Sequence, residues 1–512
     1  MSSKGIFRAI SLVSLGTLVA RICGLGREVA TANFFGTSGI YDAFLIAFMI
    51  PNFFRGLLAE GALNAAFIPI LSEYEASGRD GKECTEIFRV SYTISLLATL
   101  LLYSVVLLVS FGMTTFFVQS GKWAWVWTLL RFTFPYLIFI SVTALNIGVL
   151  NVRKSFLIPA FSPVILDIFW IASLFLLLPV LGTSLEDRIY GLCIGVLVGG
   201  FGQFLFTLVP AIRQGYTPKL SFNFGHPAVR KMGKLLAPVV IGMAVGPVNL
   251  LLDYSMAGTL FDGAVSSLWY GTRIYQLPLG IFAISISTVL LPWFSENISS
   301  KDFTGFEKNL KFGFKLLVML MVPFTFGMIA LRSEIVTLLF SRGLFSGDSV
   351  KLVAGPLAYY SIGLAGYGGG ALITRAFYSF GDTSTPVKVG VASIMANFLL
   401  NLILMSFMKH EGIALSTSLV GTANFFILLG LFRKRHLRVR VKEMAPFFAR
   451  VSVASIAMFI LLRYYLKLVS GRLSLPAVLF SAIMVGTVFC IACLWTAIKR
   501  EFGFSLMKRR AR

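Results

Sequence analysis

About fourteen apolar stretches, each long enough to cross a bilayer, follow one another along this chain with little between them. They lie near residues 8–27, 40–63, 90–114, 125–150, 157–181, 189–212, 235–260, 265–293, 312–332, 353–378, 385–408, 411–432, 447–468 and 474–497. A spanning helix needs about 20 mostly apolar residues. Inside hydrocarbon every backbone N–H and C=O must be paired within the protein, which long apolar runs achieve as helices. The reading is an all-α polytopic membrane protein. The first run holds Arg21 and lacks a small-residue cleavage site, so it reads as a span and not as a signal peptide. The longest polar stretches, near 73–88, 213–234 and 433–446, are of loop size and leave no room for a folded soluble domain.

A formal charge of +23 would suggest nucleic acid in a soluble protein. Here the distribution gives another answer. With the N-terminus inside, 31 of the 45 Lys and Arg fall at cytoplasmic ends, ten fall outside and four stay within the membrane. That bias follows the positive-inside rule with both termini cytoplasmic and an even number of spans. No nucleic-acid partner is expected. The run RKRHLRVRVK at 433–442 also suits anionic headgroups, although orientation alone explains it. Cys490 and Cys493 form a CxxC inside the last apolar run with no His nearby, which reads as packing and not as a metal or redox site.

Two motifs repeat at one offset. Phe67-Ile-Pro-Ile-Leu-Ser-Glu73 resembles Leu290-Leu-Pro-Trp-Phe-Ser-Glu296, and the same shift of 223 residues carries Pro163 to Pro386. This predicts two homologous halves of six spans, at 1–215 and 216–434, followed by two added spans within 435–512. Six is even, so the halves run parallel. Transporters built this way hold substrate between their halves.

The four intramembrane cations are Arg21, Arg27, Arg55 and Arg273. Four arginines facing lipid would cost on the order of 10–14 kcal/mol, so they are expected to face a wet interior and an anion. Arg21 and Arg27 lie six residues apart with Gly24 and Gly26 between them, and a kink there would aim both at one place. The bland alternative ends the span at Arg27. Asn52 and Arg55 share a helix face at i, i+3, with Asp42 near the outer end of the same span. Glu60 follows within reach of Arg55, as a structural ion pair or as part of the site. Arg273 sits among Trp269, Tyr270, Tyr275 and Gln276, which suits a sugar or headgroup and equally an interfacial helix. Arginine suits a diphosphate because its fork donates two hydrogen bonds to one phosphate. A second set, Asp253, Asn397, Asn401 and Thr417, offers oxygens to a small hard cation such as Na+, and equally to interhelical hydrogen bonds.

At ARICGLGRE (20–28), YDAFLIAFMIPNFFRGLLAEGALNAAFIPILSEY (41–74), IPAFSP (158–163), YGTRIYQLPLGIFAISISTVLLP (270–292) and RAFYSFGDTSTPVK (375–388), the chain resembles the MurJ/MviN family of lipid II flippases. That family belongs to the multidrug/oligosaccharidyl-lipid/polysaccharide exporter superfamily. The resemblance implies fourteen helices, two six-helix lobes in a V shape and a central cationic cavity. It implies a transporter, not an enzyme, that carries lipid II from the inner to the outer leaflet of the bacterial cytoplasmic membrane by alternating access. It makes Arg21, Arg27, Arg55 and Arg273 cavity arginines and Asp42 an outer acid, and assigns the last two spans a groove for the undecaprenyl tail. It places Asp253, Asn397, Asn401 and Thr417 where some members bind sodium, with Asn401 standing for an acid. Thr272 and Gln276 replace acids seen beside the span 8 arginine in some relatives. The expected partners are lipid II and membrane lipids, and the expected state is a monomer. The rivals are an exporter of another lipid-linked oligosaccharide or of small molecules, and a polytopic glycosyltransferase or polymerase. Four cations disfavour cationic drugs, and the short outer loops disfavour an enzyme.

Overall fold

The computed structural model describes residues 3–57, 63–77, 81–469 and 473–499. Among them it is helical, with no strand. The helices are α1 (Ser3–Phe35), α2 (Gly39–Phe54), α3 (Leu63–Ala76), α4 (Gly81–Gly112), α5 (Lys122–Thr133), α6 (Tyr136–Val152), α7 (Leu157–Leu176), the one-turn α8 (Leu178–Leu181), α9 (Leu185–Arg213) and α10 (Pro227–Gly258). They continue with α11 (Ala264–Pro278), α12 (Ser285–Ser299), α13 (Phe303–Ala330), α14 (Arg332–Phe340), α15 (Gly347–Ile362), α16 (Leu364–Ser379), α17 (Ser384–Arg435), α18 (Ala445–Val469) and α19 (Leu475–Ile498).

Among the described residues, nine helices are long and apolar enough to cross a membrane, or ten with α5 and α6, which meet at 41°. α17 counts once there, yet it holds two spans turned on Lys409, whose φ of 53° and ψ of −133° are not helical. With α1, α10 and the succession of α15 and α16 included, the helices accommodate the fourteen expected spans. The outward ridge Leu97, Leu101, Val105 and Leu108 of α4 is exposed at helical spacing, the arrangement expected of a face solvated by lipid chains.

By contacts the chain divides into two units, Met1–Ser266 with Arg342–Phe345, and Ser267–Ser341 with Ser346–Arg512. In the first, α7 packs on α1 and α9, α6 on α9, α2 on α5, and α10 on α2 and α3. Apolar helices in lipid gain little from hydrophobic burial against one another, so close backbone approach through small residues matters. Gly16 of α1 meets Ala160 of α7, and Gly195 and Gly199 of α9 meet Ser173 and Leu166 of α7. A Cβ at Gly195 would stand 2.1 Å from the Ser173 hydroxyl oxygen. Trp170 of α7 lies edge-on to Phe44 and Phe48 of α2, at 5.6 and 5.4 Å between ring centres. These contacts fix the faces of α1, α2 and α7 that bear the polar residues described below.

In the second unit α16 packs on α17, and α13 on α18, which packs on α19. Gly363, the residue before α16, and Gly366 of α16 lie equally close to Ser418 and Thr422 of α17. An apolar groove of about 400 Å³ runs between α13, α18 and α19, with Met319, Phe324, Met458, Leu462, Gly486 and Ile491 among its walls.

The turn from α16 into α17 lies outside the spans and is tied by Asp382. Its carboxylate accepts from the Thr385 amide and hydroxyl at 2.9 and 2.7 Å, and lies 3.3 Å from His436 Nε2. Burial pushes the Asp382 carboxyl up, but the Thr385 hydroxyl and amide, then His436 and Ser384, outweigh it and bring it down to about 2. Arg435 donates to the same Thr385 hydroxyl at 2.7 Å, so both ends of α17 are joined to this turn.

α11 passes through a π-helical turn at Leu279–Ile284 into α12, and the first half turns π-helical at Arg55. The shift of 223 residues carries Gly56 and Leu57, both in that turn, onto Leu279 and Gly280. Pro69 lies inside α3 and Pro292 inside α12, and each helix ends three residues after the glutamate of its motif.

Candidate functional site

Arg27 is the best-defined of the intramembrane arginines. α1 runs unbroken through Gly24 and Gly26 and on to Phe35, so the glycines do not unwind it and Arg27 does not end it. The bare face at Gly24 instead leaves room for Asp167 of α7, whose Oδ2 would lie 3.7 Å from an added Cβ. Arg27 Nη1 donates to Asp167 Oδ1 at 2.8 Å and Nη2 to Glu28 Oε1 at 2.7 Å. Its guanidinium lies 4.7 Å from the centre of the Trp170 ring, close enough for a cation–π contact. Trp170 Nε1 donates to the Thr31 hydroxyl at 3.0 Å, and that hydroxyl donates to the Arg27 carbonyl at 2.8 Å. Arg27 Nε is buried without an acceptor.

Neither carboxylate figured among the sequence candidates, though a signal was present. Asp167 is the one ionisable side chain in the apolar run 157–181, and an intramembrane acid calls for a partner as surely as an intramembrane arginine does. Glu28 adjoins Arg27. Side chains at i and i+1 do not face one another across a helix, but a long guanidinium spans the gap.

Arg21 stands exposed on α1, in the same unit. Arg55, at the end of α2, donates Nε to Asn52 Oδ1 at 2.7 Å, which realises the i, i+3 pairing expected of them. Glu60 lies outside the described residues.

Asp42 is fully buried. Its Oδ2 accepts from the Gly263 amide and its Oδ1 from the Ser266 amide, both at 2.8 Å. These are N–H groups at the start of α11, where a helix has donors to spare and favours negative charge. Lys122 Nζ approaches Asp42 at 3.4 Å, Asp262 at 3.0 Å and the Phe261 carbonyl at 3.1 Å. In this conformation Asp42 serves as a helix cap supplied from 221 residues away.

Arg273 belongs to the second unit and lies 4.0 Å from the centre of the Trp269 ring. Trp269, Tyr270 and Tyr275 are buried, Gln276 is exposed, and Tyr275 stacks on Tyr360 at 4.9 Å. The aromatic neighbours therefore brace the helix as well as flank the arginine.

Of the oxygen set, buried Asp253 is in the first unit, and Asn397, Asn401 and Thr417 are in the second. Asn397 Oδ1 accepts from the Ser416 hydroxyl at 3.1 Å, across the turn within α17. The Thr417 hydroxyl donates to the Ile413 carbonyl of its own helix at 2.9 Å. Among the described residues no three His, Cys, Asp or Glu side chains gather as a metal site.

Comparison with known proteins extends this picture. The family model for the lipid II flippase MurJ matches residues 31–484, a stretch that opens just after Arg27. A probable lipid II flippase MurJ of Vibrio cholerae is 34% identical over 470 residues, 89% of this chain and 88% of that protein. The lipid II flippase MurJ of Burkholderia cenocepacia is 32% identical over 440 residues, 84% of each chain. A solved lipid II flippase MurJ in an inward closed conformation superposes with a TM-score of 0.78 at 25% identity, over 96% of this chain and 99% of the other. An inward-facing multidrug resistance MATE family transporter of the MOP superfamily superposes with a TM-score of 0.64 at 12% identity, over 83% and 98%, a likeness of fold alone.

Proposed function

This chain belongs to the MurJ family of lipid II flippases, and from that we propose that it moves lipid II from the cytoplasmic to the outer leaflet of the inner membrane. It is a multi-pass inner-membrane protein and a transporter, not an enzyme. The observation that carries the reading is the extent of the match, through residues 31–484 and nearly all of the solved flippase.

The chemistry of the named side chains supports a division of labour. Arginines stay charged in a dry site and grip phosphate with two parallel hydrogen bonds, so Arg21, Arg27, Arg55 and Arg273 are the proposed contacts for the diphosphate. Asn52, held on Arg55, orients that guanidinium. The sugar–peptide head then travels in a hydrated interior while the tail remains in lipid. Access alternates between the two faces of the membrane. Charge bias supports cytoplasmic termini, since 31 of 45 basic residues then fall inside. For Asn397 and Thr417 the bonds to Ser416 and Ile413 support a packing role.

The test is rescue of a flippase-depleted strain, with lipid II in the outer leaflet measured by its accessibility to an externally added probe. The wild-type chain restores outer-leaflet lipid II. Arg21→Ala, Arg27→Ala and Arg273→Ala each insert into the membrane yet restore none. Rescue by all three variants would sink the assignment of the diphosphate to these arginines.

A further inference from the structure

We propose that Asp167 is an internal counter-ion that occupies Arg27 in the empty protein and yields its place to the diphosphate of the cargo, which makes it a positioning residue that limits affinity so the cargo can leave. The inference rests on the flippase reading above. It is carried by which groups already hold Arg27. Nη1 is committed to Asp167 and Nη2 to Glu28, the Trp170 ring lies against the guanidinium, and the buried Nε has no acceptor. The guanidinium keeps further N–H donors, Nε among them, but a phosphate that grips it with two hydrogen bonds comes up against both carboxylates, and like-charge repulsion favours the release of one.

The two carboxylates differ in their freedom to leave. Glu28 adjoins Arg27 on α1 and travels with it. Asp167 comes from α7, a separate helix that approaches α1 where Gly16 faces Ala160 and Gly24 faces Asp167 itself. Separation of those two faces by a fraction of a helix diameter opens the Asp167 contact and leaves the Glu28 contact intact. Asp167 is therefore the exchanging partner. A site of plain arginines would bind a lipid diphosphate on entry and hold it just as firmly at exit. A resident carboxylate that competes for the same nitrogen lowers the hold in whichever state brings α7 back. A ligand shifts a conformational equilibrium only by its differential affinity for the two states, and this contact supplies such a difference.

A structural ion pair and an exchanging one predict opposite signs. If Asp167 only braces α1 against α7, its removal weakens binding or leaves it unchanged. If it competes, removal tightens binding. The experiment uses the full-length protein in nanodiscs with undecaprenyl diphosphate as probe and undecaprenol, which lacks the diphosphate, as control. Asp167→Asn is expected to bind undecaprenyl diphosphate about tenfold or more tightly, the effect of removing one charge-assisted competitor. Its dissociation slows in proportion, undecaprenol binding stays at the wild-type level, and rescue of a depleted strain falls. Unchanged or weaker binding of the diphosphate by a folded Asp167→Asn overturns the inference. A second measurement needs no variant. Labelling of wild-type carboxyls with an apolar carbodiimide, read by mass spectrometry, should show Asp167 more reactive when undecaprenyl diphosphate is bound. Equal reactivity with and without it overturns the inference as well. Failure of the wild-type protein to prefer undecaprenyl diphosphate over undecaprenol would instead overturn the flippase reading itself.

Discussion

Asp42 shows how far a single residue's role can lie from its appearance in sequence. Read along the chain it is an acid near the outer end of a span, suited to a polar cavity. Folded, it is sealed from solvent and caps α11 through the Gly263 and Ser266 amides. No local spacing announces a cap supplied across 221 residues. Asn52 and Arg55 were legible for the opposite reason, because their partnership is set by helix periodicity alone. Arg27 falls between these cases. Its intramembrane place is readable from the apolar run around it, and the one sequence signal for its neutralisation is the lone acid of α7, which periodicity does not connect to it. The cap gives a measurable expectation. Asp42→Ala leaves two buried amides without an acceptor and Lys122 short of one partner, and should lower stability by about 3 kcal/mol. Thermal unfolding of the purified variant checks this, and a melting temperature equal to wild type would show that solvent reaches the site.

At the level of elements, the proline and glycine signals proved the most informative. The repeated Pro-Ser-Glu motif marked where α3 and α12 end, because both copies meet the same geometric need. The π-helical turn upstream of the second motif is not legible, since Leu279–Ile284 is continuously apolar and nothing in its composition separates such a turn from a regular helix. The turn at Lys409 is enforced partly by its neighbour. A Cβ at Gly412 would sit 2.4 Å from the Leu404 carbonyl oxygen, within the same helix pair. Gly412→Ala therefore spreads the two halves of α17 and should cost about 1–3 kcal/mol. Retention of full thermal stability would show that the turn relaxes freely. The Asp382 tie adds a pH dependence. Its carboxyl is held at about 2 against an ordinary 3.8, so the folded state binds the proton less readily than the unfolded one. The stabilisation is complete above the unfolded value and is lost as pH falls through about 4 to about 2. Melting temperature measured across that window should drop in the wild type, and the part due to this tie should vanish in Asp382→Asn.

For the whole molecule, hydropathy and charge bias carried most of what was readable. The number of spans and the helical class follow from run length, because lipid leaves the backbone no other economy. The pairing of helices into contact units was less legible. α10 lies beyond residue 215 yet packs with α2 and α3 of the first unit, a pairing that hydropathy does not announce. Cargo charge also acts at this scale. An inside-negative potential favours outward passage of an anionic head by about 2.3 kcal/mol per charge per 100 mV. Dissipating the potential in energised cells or vesicles should slow delivery of lipid II to the outer leaflet, whereas replacing sodium with potassium at constant potential should not. Equal rates with and without the potential would remove it as the driving force.

The pairing of Arg27 with Glu28 on one helix has an electrical consequence. The two residues are neighbours in the chain, joined by a 2.7 Å contact, and cannot be separated by any rigid movement of α1. Together they form a zwitterion. However far α1 travels through the membrane field, this pair displaces no net charge and does no electrical work. Arg27 can thus be offered to an anion from either side of the bilayer without itself adding a gating charge to the helix that carries it.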